Sequence, residues 1–294
     1  MSNDTSDRIH VGIIGGSGLY EMEGLKILET REIDTPFGSP SAPVVIGELG
    51  GRSVAFIPRH GVDHEFTPSA VPYQANIWAL KSLGVFWVVA VNAVGSLREE
   101  IEPGHFVVPD QLIDKTYKRP NTLFENIVTH VSLAHPFTQE LREVLVSCAQ
   151  EEGVTVHDSG TYVVMEGPAF STKAESEMHR QWGAHLIGMT AMPEARLARE
   201  AEMAYASICL STDYDCWRED DEVDVSAVLA VLKKNIANVQ RVLARVIPAI
   251  PLDAESSCGA SSALEYAIMT RPSAISDDAR ERYALVLDKY LGER

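Results

Sequence analysis

Short β-branched runs recur along the chain, and each ends abruptly in glycine or polar residues. "IHVGII" leads into "GGSGLY", "RSVAFI" into "PRHG", "VFWVVAV" into "NAVGSL", "TYVVM" into "EGPAFST", "AHLIG" into "MTAMPE" and "YASICL" into "STDYD". Apolar runs bounded in this way predict buried strands. Between them the period becomes helical. "VPYQANIWALKSLG" carries Pro72 near its start and Gly84 just past its end, the usual punctuation of a helix. "STKAESEMHRQWG" offers Thr172 as a cap, Glu175 as its capping-box partner and Gly183 as a stop. "VSAVLAVLKKNIANVQRVLARVI" predicts the longest amphipathic helix, and "DDARERYALVLDKYLGER" a helix that closes the chain. "ELGGRS" reads as a hairpin turn.

Strands alternating with helices predict the α/β class. No repeat, low-complexity tract or linker divides the 294 residues, so one domain over 1–294 is expected. Residues 1–8 are expected to be flexible, and the small, polar stretch 251–262 a loop before a C-terminal helical segment. Ligands of open α/β sheets bind beyond the carboxyl ends of the strands. The six motifs that end the six runs are therefore expected to converge on one crevice.

Composition narrows the partners. The chain carries 42 acidic against 25 basic residues, a formal charge of −17, a field that repels nucleic acid and anionic membrane surfaces. An anionic substrate must then be gripped by a local set of donors. Cys148, Cys209, Cys216 and Cys258 show no metal-type spacing, which fits a reduced, cytoplasmic compartment. The N-terminus lacks a basic stretch followed by an apolar one, and no apolar run reaches the ~20 residues that span a bilayer. A soluble protein is expected.

Each motif has a chemical and a plain reading. "GIIGGSGLY" lacks the G-x-G-x-x-G spacing; an anion-binding loop, to which Ser17 adds a hydroxyl, a tight turn and a dinucleotide site all remain open. In "PRHG", Arg59 brings a fork of donors suited to phosphate and His60 a further donor, against the alternative of a surface ion pair. Asn92, Ala93 and Gly95 follow the most apolar run, where backbone donors reach a crevice, or else simply turn the chain into a helix. Glu166 has the chemistry to take sugar hydroxyls and Phe170 to stack on a base; a core phenylalanine beside a capped helix is the plain reading. Met189 reads as core or as a ligand wall, beside Thr190. Asp213 and Asp215 lie two apart on a segment read as extended, so both face one way. A metal site, two solvated acids or a pair gripping the heteroatoms of a base are the readings, and two carboxylates are too few oxygens for a hard cation.

Taken together, "GGSGLY", "TPFGSPS", "RHG", "VPYQANIWALK", "GSLREEIEPG", "MEGPAFSTKAESEM", "GMTAMPEARLARE" and "STDYDCW" make the chain from about Val11 to Ile250 resemble the trimeric purine nucleoside phosphorylase family, in its branch acting on 5′-methylthioadenosine. The resemblance implies a twisted mixed β-sheet flanked by helices, a homotrimer with sites near subunit interfaces, and no cofactor, inorganic phosphate being a co-substrate. It implies a phosphate cradle of Ser17, Arg59, His60, Asn92, Ala93 and Thr190, a sugar floor at Met189 and a base wall at Phe170. Asp213 would serve N7 of the purine and Asp215 its exocyclic amine. Val225, Val228 and Leu229 would line an apolar 5′ pocket, with His130 supplied by the adjacent subunit. Asn92 stands where the family usually has threonine, Ala169 where arginine is common, and Ala191 where a second threonine often follows; beyond Pro251 the likeness is poor.

The activity so implied is phosphate-dependent cleavage of 5′-methylthioadenosine to adenine and 5-methylthioribose 1-phosphate, a step of methionine and purine salvage. Its nearest alternative is a methylthioinosine or general purine nucleoside phosphorylase. A partly buried carboxyl that stays protonated suits a donor to N7, and an acceptor facing the 6-amino group favours adenine over a 6-oxopurine. A nicotinamide-dependent oxidoreductase rests on the first glycine turn alone, and a noncatalytic nucleoside-binding protein is disfavoured by Arg59, His60 and Asp213 occurring together.

Overall fold

A computed structural model of the chain describes residues 8–218, 225–255 and 257–292. Of the N-terminal stretch expected to be flexible, all but Arg8 lies outside the described residues. The strands are β1 (Val11–Gly15), β2 (Lys26–Arg31), β3 (Val44–Leu49), β4 (Arg52–Pro58), β5 (Trp87–Ser96), β6 (Phe106–Val107), β7 (Gln111–Asp114), β8 (Val156–His157), β9 (Thr161–Val164), β10 (Leu186–Gly188) and β11 (Ala204–Asp213). The helices are α1 (Tyr73–Ser82), α2 (Gln139–Glu151), α3 (Lys173–Gln181), α4 (Ala191–Glu200), α5 (Val225–Ala249), α6 (Asp277–Arg282) and α7 (Ala284–Leu291). All the described strands join one mixed sheet, in the order β2-β3-β4-β1-β5-β10-β9-β7, with β11 on β5 and the short β6 and β8 beyond it.

At its centre β4, β1, β5 and β11 are mutually parallel, and their side chains are almost wholly buried, as expected of strands covered on both faces. One apolar layer packs Ile77, Leu80, Leu197 and Tyr205 against the sheet and the other packs Leu141, Leu145, Val242 and Leu243. Thr172 and Glu175 form the expected capping box at the start of α3. "ELGGRS" makes the expected hairpin, with Gly50 and Gly51 both at positive φ.

Two elements differ from expectation. β5 does not turn at "NAVGSL" but stays extended to Ser96, because β11 pairs with it from Trp87 to Gly95 and β10 continues on its other side at Gly95 and Ser96. The closing helix is two helices, α6 and α7, broken at Tyr283, whose buried ring packs on Phe37, Trp78 and Phe124. Within the stretch expected to be a loop, Leu252–Ala254 and Gly259–Ser262 form short 3-10 turns.

Candidate active site

Because β1, β4, β5 and β11 run parallel, their carboxyl ends share one edge, and there the sheet opens. Ala93 is exposed in the middle of the most buried strand, Gly16 is exposed after β1, and His60 after β4 is half-buried. β10 runs antiparallel to β5, which carries the residues after Gly188 back alongside Ala93 and Asn92. Asn92 Nδ2 accordingly donates to Thr190 Oγ1 at 2.7 Å, and Ser207 Oγ on β11 donates to Asn92 Oδ1 at 2.6 Å. A hydroxyl that accepts from Asn92 keeps its own proton to give elsewhere. Ser17 opens the 3-10 turn Ser17–Glu21 beyond β1; its side chain lies outside the described residues.

Arg59 corrects an expectation. Its guanidinium does not offer a free fork to phosphate. Nε and Nη2 donate to the two carboxylate oxygens of Glu194 at 2.8 and 3.0 Å, Nη1 to Val91 O at 2.9 Å and Nη2 to Ile14 O at 3.3 Å. Four of its five N–H bonds are thus used inside the protein. Burial demands this, since an arginine 3% exposed is costly unless paired. Burial lowers its proton affinity, but Glu194's charge and hydrogen bonds raise it further, so the cation is permanent. Glu194, completely buried and also bonded by Tyr205 Oη at 2.9 Å, is a residue the motifs did not single out.

His60 is neutral in the free protein. Burial pushes its pKa down to about 4, and the cations Arg59 and Arg119 and the neighbouring His64 push the same way. Nδ1 lies 2.8 Å from Phe66 O, and a carbonyl only accepts, so Nδ1 carries the proton and Nε2 a lone pair. At this ring His60 is thus an acceptor through Nε2, where a second donor was expected.

Asp213 ends β11 half-buried, level with Gly95 of β5, where a Cβ would stand 3.0 Å from Asp213 Oδ1. Burial raises its pKa, and the Asp215 charge adds to this against hydrogen bonds from Thr212 and the Asp215 N–H. The two aspartates do not share a face as expected. A bulge falls between Ser211 and Asp213, and Asp215 sits at φ +53 with its N–H on Asp213 Oδ1 at 2.8 Å. The chain has turned, and Asp215, 4% exposed, keeps company with Ser171 and Ser176.

Met189 stands half-buried beside Gly167, whose φ is +67 and whose missing Cβ leaves room for the sulfur. Phe170 is 58% exposed, which removes its core reading and leaves a free aromatic face. Glu166 is not available to sugar hydroxyls as expected: it accepts from Ser69 Oγ, Tyr117 N at 2.7 Å, Lys118 N at 3.3 Å and Arg119 Nε at 3.4 Å. Arg119, also absent from the sequence-derived set, binds Glu166 O at 2.7 Å, Met192 O at 2.6 Å and Met189 O, tying the ends of β9 and β10 to α4. No group of histidine, cysteine or acidic side chains among the described residues is arranged to hold a metal ion.

Asn235 Nδ2 of α5 bonds Ser211 O at 2.9 Å and Gln240 Nε2 bonds Gly18 O at 2.7 Å. Val228 and Leu229 lie two turns earlier, roughly 10 Å further along the axis, past the carboxyl edge; Leu229 is 58% exposed. The Val225 side chain lies outside the described residues. His130 is exposed, with its N–H on Ala267 O at 2.8 Å, on a different segment from the strand-end motifs.

The model of the phosphorylase superfamily matches residues 10–248. The S-methyl-5′-thioadenosine phosphorylase of Geobacter sulfurreducens is 49% identical over 96% of this chain and 99% of its own length. That of Pyrococcus furiosus is 53% identical over 87% of this chain and 97% of its own. Among solved structures, a methylthioadenosine phosphorylase from an antarctic soil metagenomic library superposes with a TM-score of 0.90 at 44% identity, covering 96% of this chain and all of that one. Methylthioadenosine phosphorylase from Schistosoma mansoni in complex with adenine gives a TM-score of 0.84 at 36% identity over 89% of this chain and 99% of that one.

Proposed function

The chain belongs to the phosphorylase superfamily, among its S-methyl-5′-thioadenosine phosphorylases, and from that premise we propose that it cleaves 5′-methylthioadenosine with phosphate to adenine and 5-methylthioribose 1-phosphate. The observation that carries the reading is the register of Asp213 with Gly95 on β5, the strand whose Asn92 holds Thr190. A proton donor for the base and an anion cradle thereby stand on one sheet edge.

Monohydrogenphosphate rests against the Thr190 hydroxyl, the backbone at Ala93 and Ser17, and His60 Nε2, which accepts from the phosphate's own O–H. Arg59 acts through its buried charge. Phosphate oxygen attacks C1′, the C1′–N9 bond breaks with its electron pair passing to the purine, and Asp213 protonates N7. The phosphate proton leaves through His60, and Asp213 regains one from solvent, so protons balance. The anion beside the oxocarbenium-like sugar stabilises it. Met189 supports the ribose, Phe170 covers the base, Asp215 supports recognition of the amine, and Val225, Val228 and Leu229 hold the methylthio group. The scheme uses no cofactor besides the co-substrate phosphate. A homotrimer, with His130 reaching a neighbour's 5′ pocket, is supported by its exposure and by the exposed apolar residues Val128, Tyr266 and Met269 beside it. Four free cysteines support a cytoplasmic setting, and none of the described helices is long and apolar enough to cross a membrane.

The test follows free base by chromatography from methylthioadenosine, methylthioinosine and adenosine, each with and without phosphate. Adenine released only with phosphate, and fastest from methylthioadenosine, is expected. Hypoxanthine as the dominant product, or no release from any substrate, overturns the reading.

A further inference from the structure

Asp215, Ser176 and His179 share an unusual property. Asp215 is 4% exposed, Ser176 fully buried and His179 3% exposed. Asp215 Oδ2, Ser176 Oγ and both ring nitrogens of His179 have no hydrogen-bond partner among the described residues. Ser176 and His179 lie one turn apart on α3, so they share a face, and Asp215 meets that face because its positive φ turns it out of the strand. Buried polar atoms are nearly always satisfied, and each left alone costs about 1–3 kcal/mol. Four such atoms in one cluster, with donors and acceptors both represented, are complementary in what they need.

We propose that His179, acting with Ser176 through bridging water, is a positioning residue that holds Asp215 in its anionic form and thereby sets the preference for a 6-aminopurine over a 6-oxopurine. The proposal rests on the reading of Asp215 as a purine-facing group. An anionic Asp215 accepts from an amino group and repels the oxygen of a 6-oxopurine; a neutral Asp215 is able to donate to that oxygen. The balance is close. Burial raises the pKa of Asp215, while Ser176, Ser171, the Cys216 backbone and the His179 charge oppose it. Burial and Lys115 lower that of His179, while Asp215 and Glu175 oppose them. Asp213 is the other charge nearby, held at Asp215's backbone. Lys115 approaches through the Trp182 ring, which packs edge-on to His179. Removing the His179 donor removes one of the influences that keep Asp215 ionised.

The experiment measures kcat/KM for methylthioadenosine and methylthioinosine between pH 5 and 8.5 in the whole protein, His179→Phe, His179→Asn and Asp215→Asn. His179→Phe is expected to lower the adenine preference about tenfold at the acid end, a change equal to one pKa unit in Asp215. The preference then recovers as pH rises, and His179→Asn, which keeps a donor, restores most of it. A preference in His179→Phe that matches the unaltered protein at every pH, while Asp215→Asn changes it, overturns the proposal alone. No change in Asp215→Asn overturns the underlying reading of Asp215. Should His179→Phe fail to fold, Ser176→Ala takes its place with the same readouts.

Discussion

Arg59 and Glu194 form a two-pronged ion pair, with Nε on Oε1 and Nη2 on Oε2, in which both side chains are at most 4% exposed and which joins the end of β4 to α4. The pair fixes the permanent Arg59 cation, matched by the Glu194 carboxylate, beside the proposed phosphate cradle in a chain of net charge −17. Breaking a buried pair from one side strands the other charge, at a cost of about 3–5 kcal/mol. Glu194→Gln is therefore expected to lower the urea midpoint without raising the KM for phosphate, because it takes a negative charge away from Arg59. Replacing both partners with apolar residues is expected to recover most of the stability and, with the cation gone, to weaken phosphate binding. A Glu194→Gln midpoint equal to that of the unaltered protein would sink the argument.

Gly95 is needed for the space it leaves. An added Cβ would stand 3.0 Å from Asp213 Oδ1, 3.2 Å from Ile187 and 3.4 Å from the Asp215 Cβ. Its backbone is in the ordinary extended region, so the fold tolerates alanine while the Asp213 carboxyl and Ile187 must give way by a few tenths of an ångström. Gly95→Ala is expected to shift the melting temperature little and to lower kcat/KM for methylthioadenosine by about tenfold, short of the ~10²-fold loss from misplacing a group by a full ångström. Unchanged turnover in a crystallised Gly95→Ala protein would show that this edge does not receive the base.

Much of this arrangement was legible because it is local. β1, β4, β5, β9, β10 and β11 each carry one of the short apolar runs, and the capping box of α3 needs only Thr172 and Glu175. The remainder depends on residues far apart. Asn92 and Gly95 look like turn residues, yet the β11 ladder keeps both extended, with β10 pairing Gly95 on the other side. The partner of Arg59 lies 135 positions away, and nothing in "PRHG" points to it. Asp213 and Asp215 read as neighbours on a strand because a bulge and a positive φ leave no mark in "STDYD". Arg119, in an unremarkable "KRP", matters only through the three carbonyls that two distant segments bring to it.

The chain Ser207, Asn92, Thr190 predicts an effect confined to phosphate. Asn92 is 1% exposed and Ser207 fully buried, so Asn92→Ala leaves both hydroxyls without the partner that orients them. A hydrogen bond of this kind contributes about 1 kcal/mol net, and the Thr190 hydroxyl becomes free to turn inward. The KM for phosphate is expected to rise about five- to tenfold, with kcat and the KM for methylthioadenosine nearly unchanged. Initial rates at varied phosphate check this, and a rise in the nucleoside KM alone would place Thr190 outside the cradle.

The pH dependence follows from Asp213. Its pKa is raised above the ordinary value, chiefly by burial, so the folded protein binds this proton more tightly than the unfolded chain. Stability from this group is therefore fully present below the ordinary aspartate pKa and lost as pH rises through the folded one. In the proposed reaction catalysis has the same sign: only protonated Asp213 gives N7 a proton, so kcat is expected to fall on the alkaline side of that raised value. Asp213→Asn keeps an N–H donor but cannot transfer its proton. It is expected to lower kcat by about 10²–10³-fold, within the range of general-acid contributions, and to flatten the part of the alkaline limb that belongs to this group. Because Asn also takes away a charge, the stability decline over that window should disappear as well. Rate and denaturant-midpoint profiles across pH, run on both proteins, separate the two effects, and an alkaline limb that survives unchanged in Asp213→Asn would assign the proton to another group.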